Sequence, residues 1–361
     1  MPAIQKMNVY RAVSTLSKPI SDATHDINQI AFYVVELELD NGVTGEGYLL
    51  SFHYSPNAII GALNDLRDAV VGFECYETIK LTSVIERETE YFGHNGLQKW
   101  ALATVNVAMW DAWGKTLKQP IWKLLGASTH KVPVYGSGGW LSYSDQELID
   151  EVSDYKSRGF GAVKIKVGTP ENQGGIERDI MRLRKVREVV GSNLNIMMDA
   201  NQGMNVPNAI KLSTLAADIN IHWFEEPVPH TDFAGYQLIR QKTGIALAMG
   251  EREYDMEPLK HLIDRNALDL WQPDIIRIGG VEAWRQSALL AHAHNIPVLP
   301  HYYKDYDVPL LCTIPNYYGS ESFDWIDGII DNKMRVENGE AWAREGAGWG
   351  FTFLKQHLEE L

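Results

Sequence analysis

Residues 161–201 read "GAVKIKVGTPENQGGIERDIMRLRKVREVVGSNLNIMMDAN". Three pieces of local structure lie in this stretch. "GAVKIKVG" is a short apolar run closed by glycine, and "NIMMDAN" is a second. Between them, "DIMRLRKVREVVG" carries apolar residues at helical spacing. Two strands joined by a helix pair in parallel, because a parallel connection needs a long crossover. The same rhythm runs on either side. From about residue 132 the apolar runs are "VPVYGSG", "GAVKIKVG", "NIMMDAN", "HWFEEP", "ALAMGE", "LWQPDII", "PVLPH" and a last one near "GSESFDW". The segments between them read as helices, as in "VEAWRQSALLAHAHN". About eight such units in roughly 190 residues is the arithmetic of an α/β barrel of the (β/α)8 kind.

The first third has a different pattern. Residues of about 4–15 and 30–50 alternate apolar and polar, with a hairpin turn expected at Asp40-Asn41-Gly42. Helices are expected over about 56–72, 76–90 and 97–117. This is an α+β segment, strands first and helices after. The Gly-rich tail from about 326 cannot be another barrel unit and is expected to return to the first segment. The division is therefore 1–126, 127–325 and 326–361.

The composition is that of an ordinary globular protein, with 45% apolar and 22% charged residues among 361. A net charge of −14 argues against nucleic acid or an anionic membrane as a partner. It leaves room for a small anion at a local cationic site. Two distant cysteines, Cys75 and Cys312, give no disulfide framework and point to a reducing compartment. No apolar run approaches the roughly 20 residues of a spanning helix. A cytoplasmic protein is expected.

The polar residues that end the apolar runs carry the chemistry. They are Lys164 and Lys166, Asp199, Glu225, Glu251, Asp274, His301 and Glu321, spaced from Lys166 by 33, 26, 26, 23, 27 and 20 residues. That is one per βα unit. In a barrel the C-terminal strand ends converge on one mouth. Asp199, Glu225 and Glu251 then form a set of carboxylates that requires protons or a cation. An all-oxygen set suits Mg²⁺, with Mn²⁺ as an alternative, better than zinc.

Lys164 and Lys166 lie two apart, so they point to one face of their strand. Each is expected to depress the pKa of the other, bringing one towards a general base while the other holds an anion. Asp274 ends the strand before His301 and can orient its imidazole. Lys166 and His301 would face each other across the mouth. A metal, two bases and a cationic donor suit removal of a proton next to a carboxylate, with the charge of the enediolate held by fixed groups.

The motifs "VKIKVG", "MMDANQG", "FEEPV", "MGERE", "QPDIIRIGG" and "LPH" resemble the enolase superfamily, and within it the mandelate racemase subgroup. "MWDAWGKTLKQPIWKLLGA" and "DNGVTGEG" are similar to the segments that precede the barrel in that family. The resemblance implies a modified (β/α)7β TIM barrel with an α+β capping domain made from both chain ends. It implies Lys166 as base on one face and an Asp274–His301 dyad serving the other. Lys164 and Glu321 would hold the substrate carboxylate, with Asp324 a rival to Glu321. Asp199, Glu225 and Glu251 would hold Mg²⁺. Asn201 would touch substrate. The resemblance also implies a homo-oligomer of unstated order.

Most proteins with this constellation are dehydratases of sugar acids, aldonates or aldarates, yielding a 2-keto-3-deoxy acid. Racemisation or epimerisation of a 2-hydroxy acid uses the same groups. A barrel kept only for binding would lack a ligand or a base, and none is lacking. Specificity is expected from the loops "SKPISDATHDINQ" and "SFHYSPN", of which "PISDA" resembles a segment of talarate/galactarate dehydratases. Their polar residues, His25, Asn28, His53 and Tyr54, predict a polar, uncharged wall. That wall disfavours an aromatic substrate. Neither loop has an arginine, and Lys18 or Lys304 would have to meet a second carboxylate.

Overall fold

The computed structural model describes residues 1–361, apart from the side chain of Phe92. Eight parallel segments close a barrel. The first six are Lys131–Gly138, Ala162–Lys166, Asn195–Asp199, Ile221–Glu225, Leu247–Met249 and Leu270–Trp271. The seventh is reduced to Val298, which bridges Trp271 on one side and Tyr317 on the other. The eighth, Ser320–Ser322, pairs back onto Val134–Gly136 of the first. Helices follow the first seven segments: 145–157, 175–190, 206–215, 233–243, 257–264, 281–293 and 304–311. No helix follows the eighth, so the barrel is (β/α)7β.

The registers place the site. Lys166 pairs with Asp199, and Asp199 with Glu225, so the three stand at one level on adjacent strands. Below them Tyr135, Met197, Trp223, Ala248, Leu270 and Leu299 form an apolar plug separate from the main core. The plug is the dry floor on which the charged residues stand.

The cap begins with strands Ile4–Ser14, Ile30–Leu39 and Thr44–Leu50 in an antiparallel sheet. Gly42 takes φ +82° at the expected hairpin. The helices are Pro56–Asn64, Thr78–Glu88 and Leu97–Leu117. The first is shorter than its pattern suggests. Residues 65–72 wind through turns that bring the Gly72 N–H to the Ile4 carbonyl at 2.9 Å, tying them to the first strand.

The long helix lies directly on the hairpin, and glycine makes this approach feasible. A Cβ at Gly47 would stand 2.4 Å from the Thr104 carbonyl oxygen and 2.8 Å from a Val107 methyl. Gly47→Ala should therefore cost about 2 kcal/mol or more through forced separation of helix and sheet. Urea unfolding checks this, and an unchanged midpoint would contradict the packing described.

The tail does two things. Its strand Glu340–Trp342 first adds antiparallel to Lys131–Pro133 at the start of the barrel. It then crosses to the cap. The Trp349 N–H donates to Asp111 at 2.9 Å, the Phe353 N–H donates to Glu46 at 2.8 Å, and Glu359–Glu360 pair with Tyr10 and Arg11. Among the described residues no helix is long and apolar enough to cross a membrane. Cys75 and Cys312 are buried free thiols.

Candidate active site

The strand ends converge on one cavity of about 390 Å³ between barrel and cap. Lys164, Lys166, Asn201, Glu251, Asp274, His301 and Glu321 border it. Asp199 and Glu225 lie buried beneath them.

Lys164 is fully enclosed. Its ammonium donates to Glu225, lies 2.7 Å from Glu321 and 3.7 Å from Asp199, and stands 5.6 Å from the centre of the Tyr135 ring. The Lys166 ammonium is 2.5 Å from Asp199 and 5.3 Å from the Trp140 ring centre. Mutual depression of the two lysines is not what results. Burial pushes each ammonium down, but for Lys164 the carboxylates of Glu225, Glu321 and Asp199 win. For Lys166 burial is the largest influence, but Asp199, Asp22 and Glu225 together outweigh it and the charge on Lys164. Both are held above the ordinary lysine value. The sequence reading counted the like charges and left out the three anions at closer range.

Glu321 is pinned from two sides, by Lys164 and by the Tyr302 N–H at 2.9 Å. Burial would raise its carboxyl, but Lys164, His301 and Lys166 together bring it down to about 2. Glu225 goes the other way. Burial and the neighbouring Asp199, Glu321 and Glu251 carry it well above the usual range, although Lys164 opposes them. The Gln272 amide also donates to it at 2.7 Å.

Surplus negative charge of this kind, on oxygen donors alone, fits a hard dication. Among the described residues no three such side chains close around a single point, since the lysine ammonium groups stand between the carboxylates. Asp199, Glu225 and Glu251 are oxygen donors that could hold such a dication if those contacts were displaced.

Asp274 divides its two oxygens. One caps the short helix Ile275–Ile278, accepting from the Ile276 and Arg277 N–H groups at 2.9 Å each. The other meets His301 Nδ1 at 2.8 Å. An ionised carboxylate only accepts, so Nδ1 carries the proton and Nε2 is left for chemistry. Nε2 lies 3.6 Å from Glu251.

Asn201 sits at φ +42°, held by its N–H to Asp199 at 2.8 Å, with its side-chain oxygen buried and unpartnered. His25 and Tyr54 border the cavity. Asn28 and His53 do not. Asn28 is exposed on its loop, and the His53 ring lies against Tyr54, centroids 4.1 Å apart. Lys18 pairs with Glu147, and Lys304 is buried against Asp324 at 2.5 Å. Asp324 thus faces away from the cavity, which leaves Glu321 in that place. His25 and Tyr54 thus form part of the wall and Asn28 and His53 do not, and the loops spend part of their polarity on each other: Asp22 accepts from Thr24 and His25, and the Tyr54 hydroxyl donates across to the Asp26 carbonyl.

What lines the cavity instead is largely aromatic. Trp140, Tyr302, Phe323 and Trp325 form one stack, with Phe323 and Trp325 centroids 4.3 Å apart and Trp140 6.2 Å from Trp325. Two arginines missed in the sequence, Arg252 and Arg277, also border it. Arg252 directly follows the strand-end acid Glu251, and Arg277 comes three residues after Asp274.

Trp140 is held through its loop. The Gly139 N–H donates to Glu151 at 2.6 Å, and Arg182 donates to the Gly139 and Trp140 carbonyls at 2.5 and 3.0 Å. Burial pushes the Glu151 carboxyl up to about 7, with the Gly139 bond opposing it. In the fold it keeps a proton that the unfolded chain loses near 4.5. Its contribution to stability is therefore present below that value and lost as pH rises through about 7. Glu151→Gln should gain on wild type by about 1–2 kcal/mol between pH 5 and pH 8. Thermal unfolding at the two pH values tests this, and a constant difference would refute it.

Comparison with known proteins agrees with this geometry. Residues 147–357 match the family described as enolase C-terminal domain-like, and residues 5–126 the mandelate racemase/muconate lactonizing enzyme N-terminal domain. The chain is 27% identical to the L-talarate/galactarate dehydratase of Salmonella typhimurium, over 98% of this chain and 89% of that one. It is 29% identical to the 3,6-anhydro-alpha-L-galactonate cycloisomerase of Streptomyces coelicolor, over 95% and 94%. A racemase from Streptomyces coelicolor solved with bound magnesium superimposes with a TM-score of 0.93 at 27% identity, covering 99% and 100%. The chain belongs to the enolase superfamily, in the branch that joins a mandelate racemase/muconate lactonizing enzyme N-terminal domain to an enolase-like barrel.

Proposed function

We propose that the protein is a Mg²⁺-dependent dehydratase of a sugar acid, with residues 127–325 as the catalytic barrel and residues 1–126 and 326–361 as its cap. The observation that carries the reading is the pairing of Lys166 with an Asp274–His301 dyad at one cavity. Relatives named as an L-talarate/galactarate dehydratase and an anhydrogalactonate cycloisomerase support it.

Asp199, Glu225 and Glu251 would hold the metal. A dication held there would supply positive charge for the substrate carboxylate and would occupy Asp199, the carboxylate that otherwise keeps Lys166 protonated. Lys164 fixes the remaining carboxylate oxygen, with Glu321 holding the Lys164 ammonium in place and able to share a substrate oxygen only when it carries a proton, and Asn201 offers an amide to a hydroxyl. Lys166 takes the proton from C2. Electrons from the broken C–H bond pass into the carboxylate, giving an enediolate that Lys164 stabilises. As that charge returns, the C3–O bond breaks, and His301, entering the step protonated on both ring nitrogens, gives the departing hydroxyl its Nε2 proton, so water leaves and the imidazole is left with its proton on Nδ1. The enol tautomerises to the 2-keto-3-deoxy acid.

A library of aldonates and aldarates with Mg²⁺ is expected to contain at least one compound converted to a 2-keto acid, detected as its semicarbazone. C2 deuterium wash-in without loss of water would point instead to a racemase or epimerase, the activity named for one structural relative. A library that neither loses water nor exchanges its C2 proton would refute both.

A further inference from the structure

Part of the aromatic wall has a second side. Trp140, Phe323 and Trp325 border the catalytic cavity, and the same three residues border a separate cavity of about 350 Å³. Among the described residues no other borders both. The two spaces are therefore divided by a partition one residue thick. It stands on the side of the base, since the Trp140 ring centre is 5.3 Å from the Lys166 ammonium.

The three members are held differently. Trp140 lies beside Lys166, and its loop is fixed by the bond from the Gly139 N–H to Glu151 at 2.6 Å. Phe323 directly follows the last barrel strand, Ser320–Ser322. Trp325 lies beyond it and is packed among rings. Its centroid is 4.3 Å from Phe323, 5.5 Å from Tyr302 and 6.2 Å from Trp140. Phe52 of the cap loop meets it edge-on at 6.0 Å. Trp325 is thus the member that closes the partition against the cap.

The far chamber is polar. Apart from the three rings, Leu16 and Ile20, its walls are serine, tyrosine and charged side chains. The two cations there are matched. Lys18 pairs with Glu147, and Arg158 lies 3.4 Å from Asp154 and 3.6 Å from Asp324. Ser17, Asp154 and Asp324 are exposed, so the chamber opens to solvent. Rings on one side, with hydroxyls and paired charges on the other, suit a neutral polyhydroxy group. Its C–H bonds pack on the rings while its hydroxyls find partners.

We propose that Trp325 sets the size of acid the site accepts. It confines the substrate to a single sugar-acid unit and shuts out acids that carry a further neutral sugar, for which the second chamber has the room and the chemistry. This rests on the reading of the site as one for sugar acids.

The test compares the sugar acid that the wild type dehydrates with the same acid carrying a neutral hexose on one hydroxyl beyond C3. Each such position is tried in turn. In the wild type these glycosylated acids should be poorer in kcat/KM by about tenfold or more. Trp325→Ala opens the partition. It should raise the ratio of glycosylated to plain acid by about tenfold or more for at least one position, chiefly through KM. Trp325→Phe keeps a ring in place and should keep the wild-type ratio. Leu97→Ala enlarges the catalytic cavity from the cap, away from the second chamber, and should keep it too. A wild type that uses a glycosylated acid as well as the plain one overturns the proposal. So does an unchanged ratio in Trp325→Ala, or an equal rise in Leu97→Ala. These outcomes leave dehydration untouched. If Trp325→Ala does not fold by circular dichroism, Trp325→Leu carries the same expectation. A wild type that dehydrates no sugar acid overturns the sugar-acid reading itself.

Discussion

Lys166→Ala is expected to stop both water loss and exchange of the C2 proton with solvent, whereas His301→Asn stops water loss and leaves exchange in place. Each should lower turnover of the sugar acid by about 10²–10⁴-fold, the usual contribution of a positioned acid or base. The split follows from the two roles. Lys166 meets the C2 proton, and His301, with Nδ1 held by Asp274 at 2.8 Å, presents Nε2 to the leaving hydroxyl. Mass spectrometry of substrate recovered from deuterated buffer separates exchange from turnover. The opposite split would exchange the two roles. Wild-type rates in both variants would sink the mechanism.

The second large effect is expected from Lys164→Met. The Lys164 ammonium balances Glu225, Glu321 and Asp199 in a place without solvent. Removing it leaves buried carboxylates uncompensated, which costs about 3–5 kcal/mol in the metal-free protein. Added Mg²⁺ should then stabilise the variant more than it stabilises wild type, because binding to a more negative site is linked to folding. Catalysis should still be lost, since nothing holds the substrate carboxylate or its developing charge. Thermal unfolding with and without Mg²⁺ tests this. Equal melting temperatures for variant and wild type without metal would contradict the ion pairs described.

The barrel was readable because each βα unit repeats a local rhythm and ends on a polar residue. Lys166, Asp199 and Glu225 are far apart in sequence but fall in one register row, and the period of the pattern alone brings them together. The wall was not readable in this way. Trp140, Phe323 and Trp325 lie past the strand ends, where no periodicity says which side chains turn inward. Polar residues of the cap loops looked like substrate contacts because a loop sequence does not reveal which hydrogen bonds it will make to itself. Asn28 and His53 show this: Asn28 is exposed on its loop and the His53 ring lies against Tyr54, whose hydroxyl bridges to Asp26 of the other loop. The lysine pair was misjudged for a related reason. Proximity along a strand displays their repulsion, while the carboxylates that outweigh it arrive from three other strands.

The fastening of the cap by the chain's last residues bears on biosynthesis. The hairpin and long helix are made before the barrel, but the groups that satisfy Asp111 and Glu46, the N–H of Trp349 and of Phe353, are made only after it. Until then two buried acids lack these donors and one edge of the cap sheet lacks its partner strand. The cap can therefore be completed only after the whole barrel has been synthesised, and a nascent chain stalled near residue 340 would display an unfinished site.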